Sequence, residues 1–203
     1  MKLFKKILIA NRAEIAVRII RAAHDLGIKT ASIYSEADAD ALHVKYSDEA
    51  YCIGKEVLSE TYLNIGKIIS VAQRANCEAI HPGYGFLAEN PDFVKACEDA
   101  GITFIGPTSK VIALMGNKIQ ARKFIKRINV PLVEGAVGKD IETLIKAGKK
   151  ITFPLLLKAA AGGGGKGMRI VYDDKQLKEA IESTTREAKA YFGDDTVYIE
   201  KYL

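Results

Sequence analysis

A glycine loop between two strand-like segments constrains the fold of this chain more than any other feature of its sequence. Residues 154–172 read PLLLKAAAGGGGKGMRIVY, so an apolar run from Leu155 leads into four consecutive glycines, and a second run follows at residues 168–172. β-branched and aromatic residues dominate this second run, which predicts a strand. The segment is therefore predicted to form a β-hairpin. Its glycines let backbone N–H groups approach phosphate oxygens, and its lysines supply positive charge.

Two better-known glycine motifs do not fit this loop. Gly162, Gly164 and Gly167 have the G-x-G-x-x-G spacing of dinucleotide-binding proteins, but that motif needs a helix where a strand is predicted here. A Walker loop fails because Met168 follows the last glycine in place of Lys-Ser or Lys-Thr. The remaining arrangement, strand–glycine loop–strand, is the one with which protein kinases cover ATP phosphates. It predicts a nucleoside triphosphate ligand. A plain glycine-rich turn is the alternative, although a tight turn needs only one or two glycines.

The composition is that of an ordinary globular protein and excludes several other classes. Of the 203 residues, 48% are apolar and 27% are charged, which suits one or two domains with real cores. No apolar run approaches the roughly 20 residues that a membrane-spanning helix needs, and the N-terminus lacks a signal-peptide pattern. We therefore expect a cytoplasmic protein with no membrane segment.

Charge and cysteine content restrict the possible partners further. The net charge is +5, but the main lysine cluster, at residues 146–150, has no interleaved aromatic residues, so no nucleic-acid partner is predicted. Cys52, Cys77 and Cys97 are odd in number and far apart. They are predicted to be buried free thiols in a reducing compartment.

Strand-like and helix-like segments alternate through the first hundred residues. The predicted strands are residues 6–10, 30–34, 50–53, 79–81 and 103–105. Apolar residues at helical spacing fill the intervals between most of these strands. This alternation predicts an α/β fold with a mostly parallel sheet and helices on both faces. Ligands of such sheets approach the carboxyl ends of the strands, and the loops at residues 11–12 and 81–85 both leave those ends.

The rest of the chain is predicted to be a small α+β module. Its predicted helices and last strand are residues 109–115, 118–128, 141–149, 175–190 and 196–199, with the glycine hairpin before the long fourth helix. No capping residue, polar tail or closing helix follows the last strand. The chain is therefore expected to be cut off at Leu203.

Six segments together give the chain a resemblance to the biotin carboxylases, which are ATP-grasp components of acetyl-CoA, propionyl-CoA and pyruvate carboxylases. They read KILIANRAEIAVRIIRA, AIHPGYGFLAEN, FIGP, LMGNK, PLLLKAAAGGGGKGMRIV and VYIEKYL. The resemblance implies a Rossmann-like N-terminal domain at residues 1–105, a helical connector at 106–131 and an ATP-grasp lid subdomain at 132–203.

The resemblance also assigns an ATP site to residues of this chain. Lys118 would reach the phosphates from the connector, and Lys158 would contact the α and β phosphates. Met168 would touch the base, and backbone groups of a hinge would read the adenine edge. The implied ATP-binding residues are Lys118, Lys158, Gly162, Gly163, Gly164, Gly165, Lys166, Gly167, Met168, Glu200, Lys201 and Leu203. From the residues alone, Lys158 needs an anionic partner because it lies beside the apolar run 155–157, whereas Lys118 alone could equally be a surface lysine.

Two further pairs of residues are implied to lie at biotin and at a contact between two protomers. Tyr84 and Gly85 match the loop that approaches the biotin ureido ring, although this Pro-Gly-Tyr-Gly segment could equally be a structural turn. Arg21 and Asp25 match positions of a homodimer contact in the family. An exposed i,i+4 ion pair is the commoner reading of such a pattern.

The chain departs from the family pattern at three positions and lacks the catalytic half. Ala13 replaces a usual glycine, Asn117 replaces a usual aspartate, and Lys166 stands where arginine is common. The family's magnesium-binding glutamates, its bicarbonate-holding arginine and its general base are expected beyond Leu203. No catalytic residue or metal ligand is therefore predicted in this chain, and we expect it to be inactive alone.

The implied reaction uses ATP and Mg²⁺ to convert bicarbonate into carboxyphosphate, which carboxylates biotin on a carrier protein or domain. A carboxyltransferase component would be a further partner, and fatty acid biosynthesis is one implied pathway. Two alternatives stay open: another ATP-grasp ligase that makes amide bonds or carbamoyl phosphate, and a non-catalytic nucleotide-binding or interaction module. The segment HPGYGFLAEN argues against the first alternative. A nicotinamide dehydrogenase is a remote alternative, because the strand–G-x-G-x-x-G–helix order is missing.

Overall fold

The chain folds into two compact units, Met1–Gly116 and Asn117–Leu203. The structure is a computed structural model that describes residues 3–116, 118–160 and 168–203. The predicted α/β class is confirmed: the first unit contains a parallel sheet, and the second contains a separate antiparallel sheet.

The first unit has five parallel strands with helices on both faces. Its strands are β1 (Lys6–Ile9), β2 (Lys29–Tyr34), β3 (Glu49–Cys52), β4 (Ala79–His81) and β5 (Thr103–Phe104), in the order β3-β2-β1-β4-β5. Its helices are α1 (Ala13–Asp25), α2 (Leu42–Tyr46), α3 (Ile65–Arg74), α4 (Pro91–Asp99) and α5 (Ser109–Gly116). Leu8 packs into one apolar cluster while Ile7 and Ile9 pack into another, because both faces of β1 are covered.

The strand order reverses at β1, which pairs with β2 on one side and β4 on the other. In open α/β sheets, this reversal leaves a crevice at the carboxyl ends of the two strands where ligands bind. Residues 11–12 and 82–85 leave these two ends, as the strand pattern predicted.

The second unit is a four-stranded antiparallel sheet packed on two helices. Its elements are α6 (Lys118–Arg127), β6 (Gly135–Gly138), α7 (Ile141–Ile151), β7 (Leu155–Ala159), β8 (Arg169–Val171), α8 (Asp174–Phe192) and β9 (Val197–Lys201). The strand order is β6-β9-β7-β8. Leu155, Leu157 and Ile199 face α7 and α8, where Leu144 and Leu177 complete a buried cluster. Alternation along the strands places Lys158, Tyr198 and Glu200 on the opposite face.

Two elements have no counterpart among the predicted ones. Helix α2 is only five residues long, and β6 reads GAVG, with glycine at both ends. Helix α5, assigned above to a connector, packs within the first unit: Ile112 joins its core, and Ser109 donates a 2.9 Å hydrogen bond from its hydroxyl to Glu98. None of the helices in the described parts of the chain is long and apolar enough to cross a membrane.

Candidate functional site

Lys158 lies on the sheet face of the second unit that points away from α7 and α8. It is directly opposite Tyr198 in the β7–β9 ladder, and Glu200 follows two residues later on β9. The Lys158 Nζ donates a hydrogen bond of 2.6 Å to Glu200 Oε1 and lies 5.1 Å from the centre of the Tyr198 ring. The ammonium group is therefore held between a carboxylate and an aromatic face.

The anionic partner that the sequence predicts for Lys158 is a residue of the same chain, Glu200. The side chains of Lys158 and Glu200 are 25% and 15% exposed, so the pair is largely shielded but still open to solvent on one side. Shielding strengthens the attraction relative to a fully exposed pair. A phosphate group that approached Lys158 would share its ammonium group with Glu200, and the lysine need not rely on a ligand to balance its charge.

The Tyr198 ring contacts two cationic side chains on this face, Lys158 and Arg122. The Arg122 guanidinium lies 5.0 Å from the centre of the Tyr198 ring, and it also donates a hydrogen bond to the Val133 carbonyl. Burial raises the pKa of the Tyr198 phenol, so the ring that contacts both cations is neutral at physiological pH. Gly135 packs against the Tyr198 hydroxyl. A Cβ at this position would lie 2.6 Å from that hydroxyl oxygen, so any larger residue would displace the ring.

The end of β9 carries the predicted hinge residues, and part of their hydrogen-bonding capacity is already used. The backbone N–H of Lys201 donates to the Glu134 carbonyl at 2.9 Å, and its Nζ donates to the Phe153 carbonyl at 2.6 Å. Tyr202 donates its N–H to the Pro154 carbonyl at 3.0 Å. Leu203 is exposed. The Lys201 backbone N–H could therefore bond adenine only by giving up the Glu134 carbonyl.

The remaining predicted ATP residues differ in how much of their surroundings the structure describes. Met168 is exposed just before β8, and Ile170 within this strand is exposed as well. Lys118 begins α6. The glycine loop falls outside the described residues, and so do two of the three departures from the family pattern. The predicted positions outside the described residues are Gly162, Gly163, Gly164, Gly165, Lys166, Gly167 and Asn117.

The turn that contains Tyr84 and Gly85 lies at the carboxyl edge of the first unit's sheet. Asn11, at the end of β1, donates hydrogen bonds from its side-chain amide to the carbonyls of Pro82 (2.7 Å) and Tyr84 (2.8 Å). The exposed Tyr84 phenol donates to Glu14, and this hydrogen bond raises the pKa of Tyr84. The two loops that sequence reasoning placed at the same edge are thus in direct contact.

A polar cluster beside this turn holds Arg12. Its guanidinium lies 5.2 Å and 5.6 Å from the ring centres of Tyr62 and Phe86, which stack on each other, and it contacts Asp38 at 3.2 Å. Burial alone would raise the pKa of Asp38, but hydrogen bonds from Tyr62, Ser35 and Arg12 outweigh it and lower the pKa. Asp38 therefore stays ionised at neutral pH and anchors the cluster.

Other predicted positions are placed as follows. Arg21 lies 6.0 Å from the centre of the Tyr46 ring, and an Arg21–Asp25 ion pair is not among those found in the described residues.

Cys77 is buried, but Cys52 is exposed, so the prediction of burial was wrong for Cys52, because β3 is an edge strand. No group of three His, Cys, Asp or Glu side chains among the described residues could hold a metal ion.

Sequence reasoning did not single out Asn11, Arg122, Tyr198 or Gly135 as site residues. Each of them acts through a partner that is remote along the chain. Asn11 was the easiest of the four to find from the sequence, because it follows a buried strand at the edge of the sheet where ligands are predicted to bind.

Two protein-family models match adjacent parts of the chain. A model described as the biotin carboxylase N-terminal domain matches residues 3–112. A model described as the ATP binding domain of the carbamoyl-phosphate synthase L chain matches residues 117–203. The two matches cover nearly all of the chain.

Curated relatives match the whole chain at about half identity. Biotin carboxylase 1 of Bacillus subtilis (strain 168) is 50% identical over 203 residues, which cover 99% of this chain and 45% of the relative. The 2-oxoglutarate carboxylase small subunit of Hydrogenobacter thermophilus is also 50% identical over 203 residues, which cover 99% of this chain and 43% of the relative. The chain spans less than half the length of either relative.

Solved structures of biotin carboxylases also match nearly the whole chain. The biotin carboxylase domain dimer of Hydrogenobacter thermophilus 2-oxoglutarate carboxylase, in complex with MgADP, ADP and bicarbonate, has a TM-score of 0.88 at 49% identity. It covers 100% of this chain, which spans 45% of that one. The βγ-ATP complex of biotin carboxylase from Campylobacter jejuni has a TM-score of 0.89 at 48% identity, with 99% and 46% of the two chains covered.

Proposed function

This chain belongs to the biotin carboxylase family, and on that premise we propose that it forms the part of such an enzyme that covers ATP and carries a turn beside biotin. The reaction converts ATP and bicarbonate into carboxyphosphate, which then carboxylates biotin at N1′. The chain spans less than half the length of its relatives. We therefore assign this activity to an enzyme in which these residues take part, and expect the 203 residues alone to be catalytically silent.

The placement of Lys158 is the observation that carries the nucleotide part of this proposal. Its strand, β7, runs directly towards the glycine segment, and its ammonium group lies on the sheet face away from the helices. The exposed side chains of Met168 and Ile170 add apolar surface at the neighbouring strand β8. A cation beside apolar surface suits a ligand that combines phosphates with a purine. The ADP and βγ-ATP complexes of the two structural relatives support this assignment.

We retain the complete predicted set of ATP contacts, with the lysines and glycines at the phosphates and the end of β9 at the adenine. Tyr84 and Gly85 are proposed to lie next to biotin. The division into residues 1–105, 106–131 and 132–203 is proposed as the functional division, although α5 packs within the first unit. Mg²⁺ would accompany ATP. The described residues offer no cluster of ligands for it, so we assign no magnesium ligand among them.

We propose biotin on a carrier protein or domain, and a carboxyltransferase component, as the partners of the reaction. A homodimer that uses Arg21 and Asp25 of α1 is proposed because one structural relative is a dimer. The free thiols Cys52, Cys77 and Cys97 suit a reducing compartment such as the cytoplasm. If the final acceptor is acetyl-CoA, the enzyme would serve fatty acid biosynthesis.

A carbamoyl-phosphate synthase or another ATP-grasp ligase is the second candidate. It is favoured by one observation, the match of residues 117–203 to the carbamoyl-phosphate synthase ATP binding domain. The first unit argues for biotin instead, because residues 3–112 match the biotin carboxylase N-terminal domain. A non-catalytic nucleotide-binding module would bind ATP without any response to biotin.

Nucleotide binding is tested by calorimetry of MgATP with the 203-residue chain and two lysine variants. We expect weak binding, towards the millimolar range, because each lost contact of about 1.4 kcal/mol costs tenfold in affinity. Lys158→Ala should weaken this binding severalfold, whereas Lys175→Ala, at an exposed lysine of α8, should not. Equal effects of the two substitutions would contradict the assignment of Lys158.

Catalytic silence is tested separately, by bicarbonate-dependent ATP hydrolysis with free biotin and magnesium. The chain should show no turnover above its Lys158→Ala variant, because Mg²⁺ positioning is central to phosphoryl transfer. Turnover by the unaltered chain would show that these 203 residues suffice for the chemistry, and the proposed division of roles would be wrong.

A further inference from the structure

Asn11 clamps the turn between β4 and α4 from the end of a neighbouring strand. The residue is 4% exposed, and both protons of its side-chain amide are used: one bonds the Pro82 carbonyl at 2.7 Å and the other bonds the Tyr84 carbonyl at 2.8 Å. Its Oδ1 accepts a hydrogen bond of 2.8 Å from the Arg12 N–H. The nitrogen and the oxygen of the side-chain amide therefore both form hydrogen bonds with backbone groups, and these groups belong to two loops.

The turn that Asn11 holds has an unusual backbone conformation. Gly83, Gly85 and Phe86 all have positive φ, at 66°, 69° and 41°. The Cβ of Phe86 disfavours this conformation, so surrounding contacts must hold it. The His81 Nδ1 accepts the Gly83 N–H at 3.0 Å, which supplies a second restraint. A Cβ at Gly83 would lie 2.8 Å from Asn11 Nδ2, so the turn fits closely around this amide.

Only a short primary amide meets the chemical demand at position 11. Two carbonyl oxygens two residues apart need two protons from one nitrogen, which Asn11 supplies. Aspartate would set a carboxylate oxygen against both carbonyls, and alanine would leave both without a donor in a buried place. Serine has a single hydroxyl proton and could satisfy only one of them.

We propose that Asn11 is a positioning residue for biotin, which sets the placement of Tyr84 and Gly85 through the backbone of their turn. This inference rests on the proposed function, because it takes biotin as the ligand of these two residues. Asn11 does not touch biotin in this scheme. It orients the Tyr84 carbonyl and thereby the direction in which the exposed Tyr84 side chain and the Gly85 backbone face the ligand.

The positioning role is tested by the titration of Tyr84, followed by NMR in the 203-residue chain with ¹³C-labelled tyrosine. The hydrogen bond to Glu14 raises the pKa of Tyr84 above its ordinary value of 10.0. In Asn11→Ala the turn should relax, the hydrogen bond should weaken, and the pKa of Tyr84 should fall towards that value. Asn11→Ser should lie between Asn11→Ala and the unaltered chain.

Asn64→Ala is the matched control, because Asn64 caps α3 by accepting the Lys67 N–H. It should lower the Tm of the first unit without moving the Tyr84 titration. An unchanged Tyr84 pKa in folded Asn11→Ala, or an equal shift in Asn64→Ala, would overturn the positioning role. If Asn11→Ala does not fold, Asn11→Ser decides in the same way, since it keeps one of the two hydrogen bonds.

The link to biotin is tested by adding millimolar free biotin to the same samples. The amide signals of Tyr84 and Gly85 should shift in the unaltered chain, and the shift should be at least about threefold smaller in Asn11→Ala at equal biotin. No shift in the unaltered chain would reject biotin as the ligand and with it that part of the proposed function. Equal shifts in both chains would reject Asn11 as the residue that positions them, whatever the ligand.

Discussion

Replacement of Glu200 by glutamine should change stability and nucleotide affinity in opposite directions. The carboxylate of Glu200 lies 2.6 Å from Lys158 Nζ, with the two side chains 15% and 25% exposed. Breaking a buried pair costs about 3–5 kcal/mol, whereas an exposed pair contributes about 0.2–1 kcal/mol. Because glutamine keeps a hydrogen-bond acceptor, we expect the free energy of unfolding of the second unit to fall by about 1–2 kcal/mol. For a domain of this size, that lowers Tm by roughly 5–15 °C.

The same substitution should tighten the binding of MgATP. A phosphate oxygen that contacts Lys158 would lie about 5 Å from the carboxylate, where an effective dielectric constant of about 20 gives about 3 kcal/mol of repulsion. Physiological salt roughly halves this value. Lys158 also loses a partner that orients it, which offsets part of the gain. We expect a net improvement of about 1 kcal/mol, or roughly fivefold in affinity.

Thermal unfolding followed by circular dichroism, and NMR titration with MgATP, measure the two effects on one sample. Asp174→Asn is the matched control, because the Lys149–Asp174 pair spans 3.0 Å with side chains 54% and 56% exposed. It should cost less than about 0.5 kcal/mol and leave the affinity unchanged. Weaker nucleotide binding by Glu200→Gln would refute the reasoning, because the carboxylate would then assist the ligand and not compete with it.

Three further predictions concern close packing, backbone strain and a buried histidine. Gly135→Ala should destabilise the second unit by about 1–3 kcal/mol in denaturant unfolding, since its Cβ would lie 2.7 Å from the Ile199 carbonyl oxygen; Gly138→Ala, with its nearest contact at 3.6 Å, should be well tolerated. Ala13→Gly should stabilise the first unit by about 0.5–1 kcal/mol, because Ala13 has φ of 54°; an unchanged or lower Tm would contradict this. Burial lowers the pKa of His43 below its ordinary 6.5, so the unfolded chain binds the extra proton as pH falls below that value, and stability is lost there by up to about 1.4 kcal/mol per pH unit. His43→Gln should make urea-measured stability less dependent on pH between about 5 and 6.5, and an equal slope would show that His43 is not responsible.

Residues near one another along the chain allowed the fold class and the edge of the ligand site to be predicted. Apolar runs such as residues 7–10 predicted buried parallel strands, and the run at 168–172 predicted a strand in place of a helix after the glycines. These predictions succeeded because strand and helix periodicity reflect short-range geometry. Parallel topology predicted that residues 11–12 and the 82–85 turn share one edge of the sheet, but their contact depends on the pairing of β1 with β4.

Other features depend on partners that no local pattern identifies. The segment GAVG becomes β6 only because β9 pairs with it. Glycine at both ends weakens its own strand propensity. Lys158 was recognised as a lysine that needs an anion, but its partner Glu200 lies 42 positions away and is selected by the register of β7 against β9.

By itself, the sequence predicted most of the strands and helices, the parallel sheet of the first unit and the hairpin strands that flank the glycines. It did so because backbone preferences and hydrophobic alternation act over a few residues. Only the tertiary structure decided that Asn11 bonds two carbonyls 71 and 73 positions away, and that Tyr198 lies between Arg122 and Lys158. Hydrogen bonds and cation–π contacts require atoms within a few ångströms, and strand order and register set those distances for residues remote along the chain.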